Sequence, residues 1–314
     1  MAVSGSFDFA QNRDQLLRDA LITAGVEDPW DTPESEINTF ASNELNRMVK
    51  GWQADGLHLW VIRPAYLFLQ KDTHEYDLGN THFTESFVST AVKVAGADTD
   101  TSLDVDSTTG VTAGDYCLVA MDDGTLHATT VASVTDSDTV ALDDALDGAV
   151  AVDQAVYFYT TRAQRPLRVQ QAVYYDYTGA FDTKMYQIAR EQFWNLSNKT
   201  TDSRPTQWYF DPQLTYSKFR IYGEPSSVED YIKLLCSFPF DDMDAAANDF
   251  SFPQEWYDAI HWNLAMRLAM QFGAGRDRVS QISAMAAQTY RRAKGFDEER
   301  ADIQMRPDEQ WLRG

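Results

Sequence analysis

The 314 residues are 44% hydrophobic and 13% aromatic, enough to bury one large domain or two smaller ones and too apolar for a disordered chain. A formal net charge of −22 argues against a surface that grips nucleic-acid phosphates, because such binding runs on Lys and Arg releasing counterions. No apolar run reaches bilayer length, and Met1-Ala2-Val3-Ser4-Gly5 lacks a basic-then-apolar leader pattern, so manufacture and assembly in cytoplasm is the expectation.

The spacing of Leu16, Leu17, Ala20, Leu21 and Ala24 predicts a helix over 12–24, stopped by Gly25. A second is expected from Thr32, a candidate N-cap with Pro33 behind it, to about Asp55. Ile37, Phe40, Ala41, Leu45, Met48 and Trp52 form its stripe, and Gly56 ends it. From Leu57 the period shortens to that of strands: Leu59, Val61 and Ile62, then Tyr66, Phe68 and Leu69, split by Pro64 and closed by Tyr76 and Leu78. His58, His74 and His82 have no metal-ligand spacing and read as packed or solvated side chains.

Residues 88–160 differ from the rest. Thirteen Asp, no Glu and one Lys (Lys93) give this stretch −12 of the total charge, among abundant Val, Thr, Ala and Gly. Short alternating runs separated by turn signals indicate a small β-barrel or sandwich inserted into a host domain. The clearest hairpin is Tyr116–Met121, Asp123-Gly124 and Thr125–Val134, with Asp-Gly supplying the positive φ angles of a tight turn. Asp98-x-Asp100 and Asp104-x-Asp106 begin like calcium loops but lack the later Gly and Glu, so aspartate as turn residue is the stronger reading.

The host resumes after Arg162. A strand is expected over Pro166–Tyr177, a short helix over Lys184–Phe193, and strands over Thr206–Phe210, Phe219–Tyr222 and Tyr231–Phe238. The acidic stretch Asp241–Asp249 leads to Pro253, a helix-start signal. Trp256, Ile260, Leu264 and Leu268 then recur every fourth residue, with further apolar residues between them, so this helix must be buried on several sides. Gly273-Ala274-Gly275 turns the chain into a partner helix, on which Val279, Ile282, Ala286, Tyr290 and Ala293 share a face. Ala301–Pro307 alternates like a strand, and Trp311 sits near the end, so the tail is a candidate for adding to a partner's sheet or groove.

No Walker A, G-x-S-x-G, H-E-x-x-H or G-x-G-x-x-G motif is present. Glu255 beside Trp256 stands at a helix start, where a carboxylate is expected for dipole reasons. Cys117 and Cys236 are unclustered and read as buried thiols. No catalytic residue, metal or cofactor is indicated.

Phe252-Pro253-x-Glu255-Trp256 followed by Ala259-Ile260-x-Trp262-Asn263-Leu264-Ala265 resembles the C-terminal helical hairpin of head-to-tail adaptor (connector) proteins of short-tailed bacteriophages. The early helical pair, Arg165-Pro166-Leu167-Arg168-Val169, and the run from Lys199 through Pro205-Thr206-Gln207-Trp208-Tyr209-Phe210-Asp211-Pro212 follow the same order. Ser203 stands where that family usually has Gly. The resemblance implies an α+β chain: a helical-bundle adaptor core with short strands and an inserted small all-β module. Its parts would be 1–87 (helical and β-ribbon), 88–160 (module), 161–295 (rest of the core) and 296–314 (tail). It also implies a virion structural protein, not an enzyme, forming a homo-oligomeric ring, a dodecamer, that joins the portal to the tail and extends the DNA channel. Its partners would be the portal protein, tail hub or nozzle and fibre proteins, with genomic DNA passing through unbound and no membrane involved. Phe296, Ile303, Met305, Arg306 and Trp311 would meet the portal or tail, and Trp52, Trp256, Trp262 and Tyr290 would pack between subunits. The alternatives are a tail-tube or fibre-attachment protein, or a carbohydrate-active enzyme with an accessory β module.

Overall fold

The computed structural model describes residues 11–30, 34–54, 59–80, 82–225, 227–242 and 252–297. Among them are five helices: α1 (Arg13–Ala24), α2 (Ser35–Ala54), α3 (Arg190–Asn195), α4 (Tyr257–Gln271) and α5 (Arg276–Phe296). The chain divides into two compact units, one joining residues 1–59 to 240–314 and the other running from Trp60 to Pro239.

The first unit is helical. Asn12 caps α1, accepting from Gln15 N–H at 2.9 Å, while the Gln15 side chain accepts from Asn12 N–H. Gly25 ends α1 at φ 79°, and the Arg278 guanidinium lies 2.2 Å from where a Cβ would sit. Glycine is thus favoured by the left-handed backbone, while a side chain there would displace the mobile end of Arg278. The Thr32 cap and Pro33 expected for α2 lie outside the described residues. α4 is the central helix, packed on α1, α2 and α5, and its buried set (Ala259, Ile260, Leu264, Ala265, Leu268, Ala269) covers most of its circumference, as its unbroken apolar pattern requires. α5 buries one stripe only, Ile282, Ala286, Thr289 and Ala293.

Polar ties fix these helices. Arg267 of α4 donates to Glu44 of α2 at 2.8 Å, Asn263 Nδ2 donates to the Ala286 carbonyl of α5 at 3.1 Å, and Arg278 donates to the last carbonyls of α1. Burial by itself would raise the Glu44 pKa; hydrogen bonds from Arg267 and Gln271 and the charges of Arg267 and Arg47 outweigh it and hold the carboxyl below its ordinary value.

The second unit is built from sheets. Its strands are β1 (Ile62–Phe68), β2 (Glu75–Leu78), β3 (Phe83–Thr84), β4 (Val88–Ala91), β5 (Ser102–Asp104), β6 (Tyr116–Ala120), β7 (Leu126–Val134) and β8 (Thr139–Leu142). They continue with β9 (Ala155–Tyr159), β10 (Arg168–Asp176), β11 (Phe181–Lys184), β12 (Tyr186–Gln187), β13 (Gln207–Asp211), β14 (Ser217–Tyr222) and β15 (Tyr231–Ser237). The sheet orders are β11-β10-β15-β1-β3, β12-β13-β14-β2 and β4-β9-β6-β7-β8-β5.

The expected helical-bundle core is therefore incorrect. Strand makes up 31% and helix 29% of the described residues, and the segments flanking the acidic module build two sheets of their own. The central pairing explains the error. β1 runs antiparallel to β15 from Ile62↔Ser237 to Phe68↔Tyr231, and β10 covers the other edge of β15. Partners so distant along the chain leave no mark in a local window of sequence. The helix expected over Lys184–Phe193 is also replaced. Met185 N–H donates to Ala172 and Tyr186 N–H to Thr206, so sheet pairing takes the segment and α3 begins only at Arg190.

The aspartate-rich stretch forms the six-stranded sheet, which curls until its first and last strands meet at the Val92↔Val105 bridge. Cys117, Val119, Val156 and Phe158 point into its own core. The alternate residues Leu118, Ala120, Ala155, Tyr157 and Tyr159 join Phe68, Val228 and Tyr231 in a second apolar layer, against the five-stranded sheet. β6 and β9 are consequently buried on both faces. The β6–β7 turn is a three-residue loop in which Gly124 alone takes positive φ (80°), with Met121 N–H donating to Thr125, in place of the expected two-residue turn.

Four of the aspartates here act as local turn acceptors: Asp100 accepts from Ala97 N–H, Asp115 from Thr112 N–H, Asp123 from Thr125 N–H and Asp136 from Asp138 N–H, while Asp122 accepts from the distant Ala151 N–H. Both cysteines are buried free thiols whose pKa burial pushes up.

Candidate interaction surfaces

The residues expected to pack between subunits fall as follows. Trp256 is fully buried, and Trp52 lies 5.6 Å from it and 5.1 Å from Tyr290, ring centre to ring centre. These three rings hold α2, α4 and α5 together within one chain, and Trp262 is half-buried on α4. Phe296 is 61% exposed at the end of α5, and Asp297 behind it is buried. Ile303, Met305, Arg306 and Trp311 lie outside the described residues, as does His58.

The aromatic surplus has an internal destination as well. Phe68 stacks on Tyr157 at 4.7 Å, and Tyr66, Phe87, Tyr175, Tyr177 and Tyr231 surround the pair. The Tyr157 hydroxyl donates to the Glu229 carbonyl and the Tyr174 hydroxyl to Asp230. These aromatics fasten the acidic module to the sheet beneath it.

Two surfaces stay open. On the helical unit, Phe40 and Phe272 form an edge-to-face pair at 5.6 Å, both over one-third exposed, with Met270 and Met285 also exposed. On the sheet unit, residues 181–195 form the outer strand of two sheets in succession, β11 on the five-stranded and β12 on the four-stranded sheet, and then α3. Phe181, Tyr186 and Trp194 are exposed along this edge among Lys184, Arg190, Lys199 and Arg204. Arg204 lies over Phe181 and Tyr174 and pairs with Asp176, while Lys199 and Arg220 lie within about 6 Å of the Trp194 ring. Among the described residues, Lys184, Arg190 and Lys199 have no carboxylate at ion-pair distance; Lys199 donates instead to the carbonyls of Trp194 and Leu196. Sequence inspection missed this edge, whose residues 181–195 set Lys184 and Arg190 against Asp182 and Glu191 with no net charge to mark them.

A cleft of about 550 Å³ in the helical unit is lined by Asp19, Thr23, Tyr257, Asp258 and His261 among others, with Thr23 Oγ1 3.1 Å from His261 Nε2. Burial lowers the His261 pKa against the pull of Asp19 and Asp258. Glu229, in the sheet unit, has its carboxyl pKa raised by burial. His74 Nδ1 sits 2.9 Å from Glu224, and His82 is packed, its pKa lowered to about 4 by burial and then by Arg162. No described helix is long and apolar enough to cross a membrane.

No model of a known protein family matches the chain, and no curated protein matches it.

Proposed function

We propose that the chain is a virion structural protein of a short-tailed bacteriophage, a head-to-tail adaptor that assembles with copies of itself beneath the portal and extends the DNA channel. The observation that carries this reading is the C-terminal hairpin. The Phe252–Ala265 motif of the sequence resemblance leads into the central helix α4 and supplies its first half, Tyr257–Ala265, locked to α5 through Asn263, and α5 buries only one stripe among the described residues. The Phe40–Phe272 pair, Met270, Met285 and Phe296 are the apolar surface such a subunit would bury against neighbours. Heterologous contacts that close on themselves make a ring, and a −22 chain lining it would repel DNA and let it pass.

Because Asp297 caps α5 from a buried position, a truncation that tests the tail must begin after it. Removing residues 298–314 is expected to leave a folded chain that no longer joins portal rings in native mass measurement or electron micrographs. Unchanged co-assembly would count against the assignment of Ile303, Met305, Arg306 and Trp311 as portal contacts.

A tail-tube or fibre-attachment subunit is the second reading, favoured by the strand content of the Trp60–Pro239 unit. Micrographs separate the two: stacked open tubes without portal support the second, single rings on a portal the first.

A further inference from the structure

We propose that Met270 and Met285 of the helical unit are a methionine-oxidation site: a peroxide turns both thioethers into sulfoxides, and the apolar surface they help form can then no longer be buried between copies of the chain. The modification stands on the sulfur chemistry of this chain; its consequence for assembly rests on the function proposed above. The sequence holds nine methionines and two cysteines. Among the described residues, Cys117, Cys236, Met48, Met121 and Met185 are at most 3% exposed, and Met266 is partly covered on α4. Met270, near the end of α4, is 55% exposed, and Met285, off the buried stripe of α5, is 37% exposed. Met1, Met243 and Met305 lie outside the described residues.

Access and charge state decide which sulfur reacts. Thiols meet peroxide as thiolates, and burial pushes the pKa of both cysteines up, so neither is ionised near neutral pH. A thioether has no proton to lose, and its oxidation follows exposure. The sulfur lone pair attacks one peroxide oxygen, the O–O bond breaks and an S–O bond forms. The second oxygen takes up the proton of the first and leaves as water, so the thioether loses two electrons and the peroxide gains them. The product is a polar hydrogen-bond acceptor on a side chain that was apolar. Buried at a contact without a donor, it weakens association about tenfold or more. Neither side chain belongs to the buried set of its helix, so the fold itself tolerates the change.

The test treats the full-length chain with dilute hydrogen peroxide and follows each methionine by peptide mass spectrometry. Met270 and Met285 are expected to gain oxygen about tenfold faster than Met48, Met121 and Met185. Equal rates, or buried methionines reacting first, would overturn the site. Sedimentation and native mass then compare oxidised with untreated protein, for the parent and for M270L/M285L, each against itself. The parent should self-associate about tenfold more weakly after oxidation and recover with the two sulfoxide reductases that act on the two epimers, while the leucine variant should not respond to peroxide. An equal loss in the variant would place the damage at other residues and overturn the effect on assembly. Far-ultraviolet dichroism should stay unchanged; lost helix would show that oxidation breaks the fold, which also overturns a surface effect. If the untreated parent is monomeric under every condition, the ring and the effect on assembly fall together, and the peptide map still decides the site.

Discussion

At the residue scale, individual positions are set by short-range chemistry with measurable consequences. His82 is the clearest. Its backbone lies at φ 67°, and burial, followed by the Arg162 charge, lowers its pKa from 6.5 to about 4. The folded chain therefore keeps the imidazole neutral where the unfolded chain accepts a proton. This stability contribution is complete above pH 6.5 and is lost as pH falls from there through 4, by about 2 kcal/mol at about pH 5. His82→Asn tolerates the left-handed backbone and has no proton to gain. Its melting temperature should therefore fall less steeply between pH 7 and 5 than the parent's; parallel curves would show that His82 does not titrate in this window.

At the element scale, the aromatic layer between the barrel and the five-stranded sheet determines how the second unit melts. Phe68 is fully buried at its centre, within ring-contact distance of Phe87, Tyr157, Tyr159 and Tyr231. Phe68→Ala should cost about 3–5 kcal/mol from lost burial and the cavity left behind. Because β6 and β9 have one face in each core, the barrel and the sheet should lose stability together. Calorimetry and hydrogen exchange on the variant check this: if only the β1 and β15 amides lose protection while barrel amides keep theirs, the layer does not couple them.

At the scale of the whole molecule, the division into units makes a further prediction. The sheet unit is one continuous stretch, Trp60 to Pro239, with both strands of its longest pairing inside it, whereas the helical unit draws on both ends of the chain. A fragment of residues 60–239 should therefore fold alone, with a cooperative melt and the near-ultraviolet dichroism of ordered tyrosines. A fragment without fixed aromatic signal would show that the helical unit is needed for its fold. The net charge belongs to this scale too. Thirteen aspartates in one curled sheet create an uneven field that matters only between molecules.

What the sequence determined by itself was whatever rests on neighbours within a few residues. The helix over 12–24, the Gly25 stop, the Gly273 turn, the amphipathic face of α5, the all-round burial of α4 and the aspartate turn caps of residues 88–160 all follow from backbone geometry and 3.6- or 2-residue periods. The tertiary structure alone decided what those elements meet. Seven residues of β1 pair with β15, Met185 and Tyr186 are drawn from an apparent helix into sheet ladders, and Tyr157 and Phe68 close a layer across distant segments. Such contacts join residues far apart along the chain, and hydrophobicity is non-directional: it marks a side chain for burial without naming its partner. The same reason hid the outer edge of residues 181–195, because Phe181, Tyr186 and Trp194 come to lie along an edge only when two sheets end there.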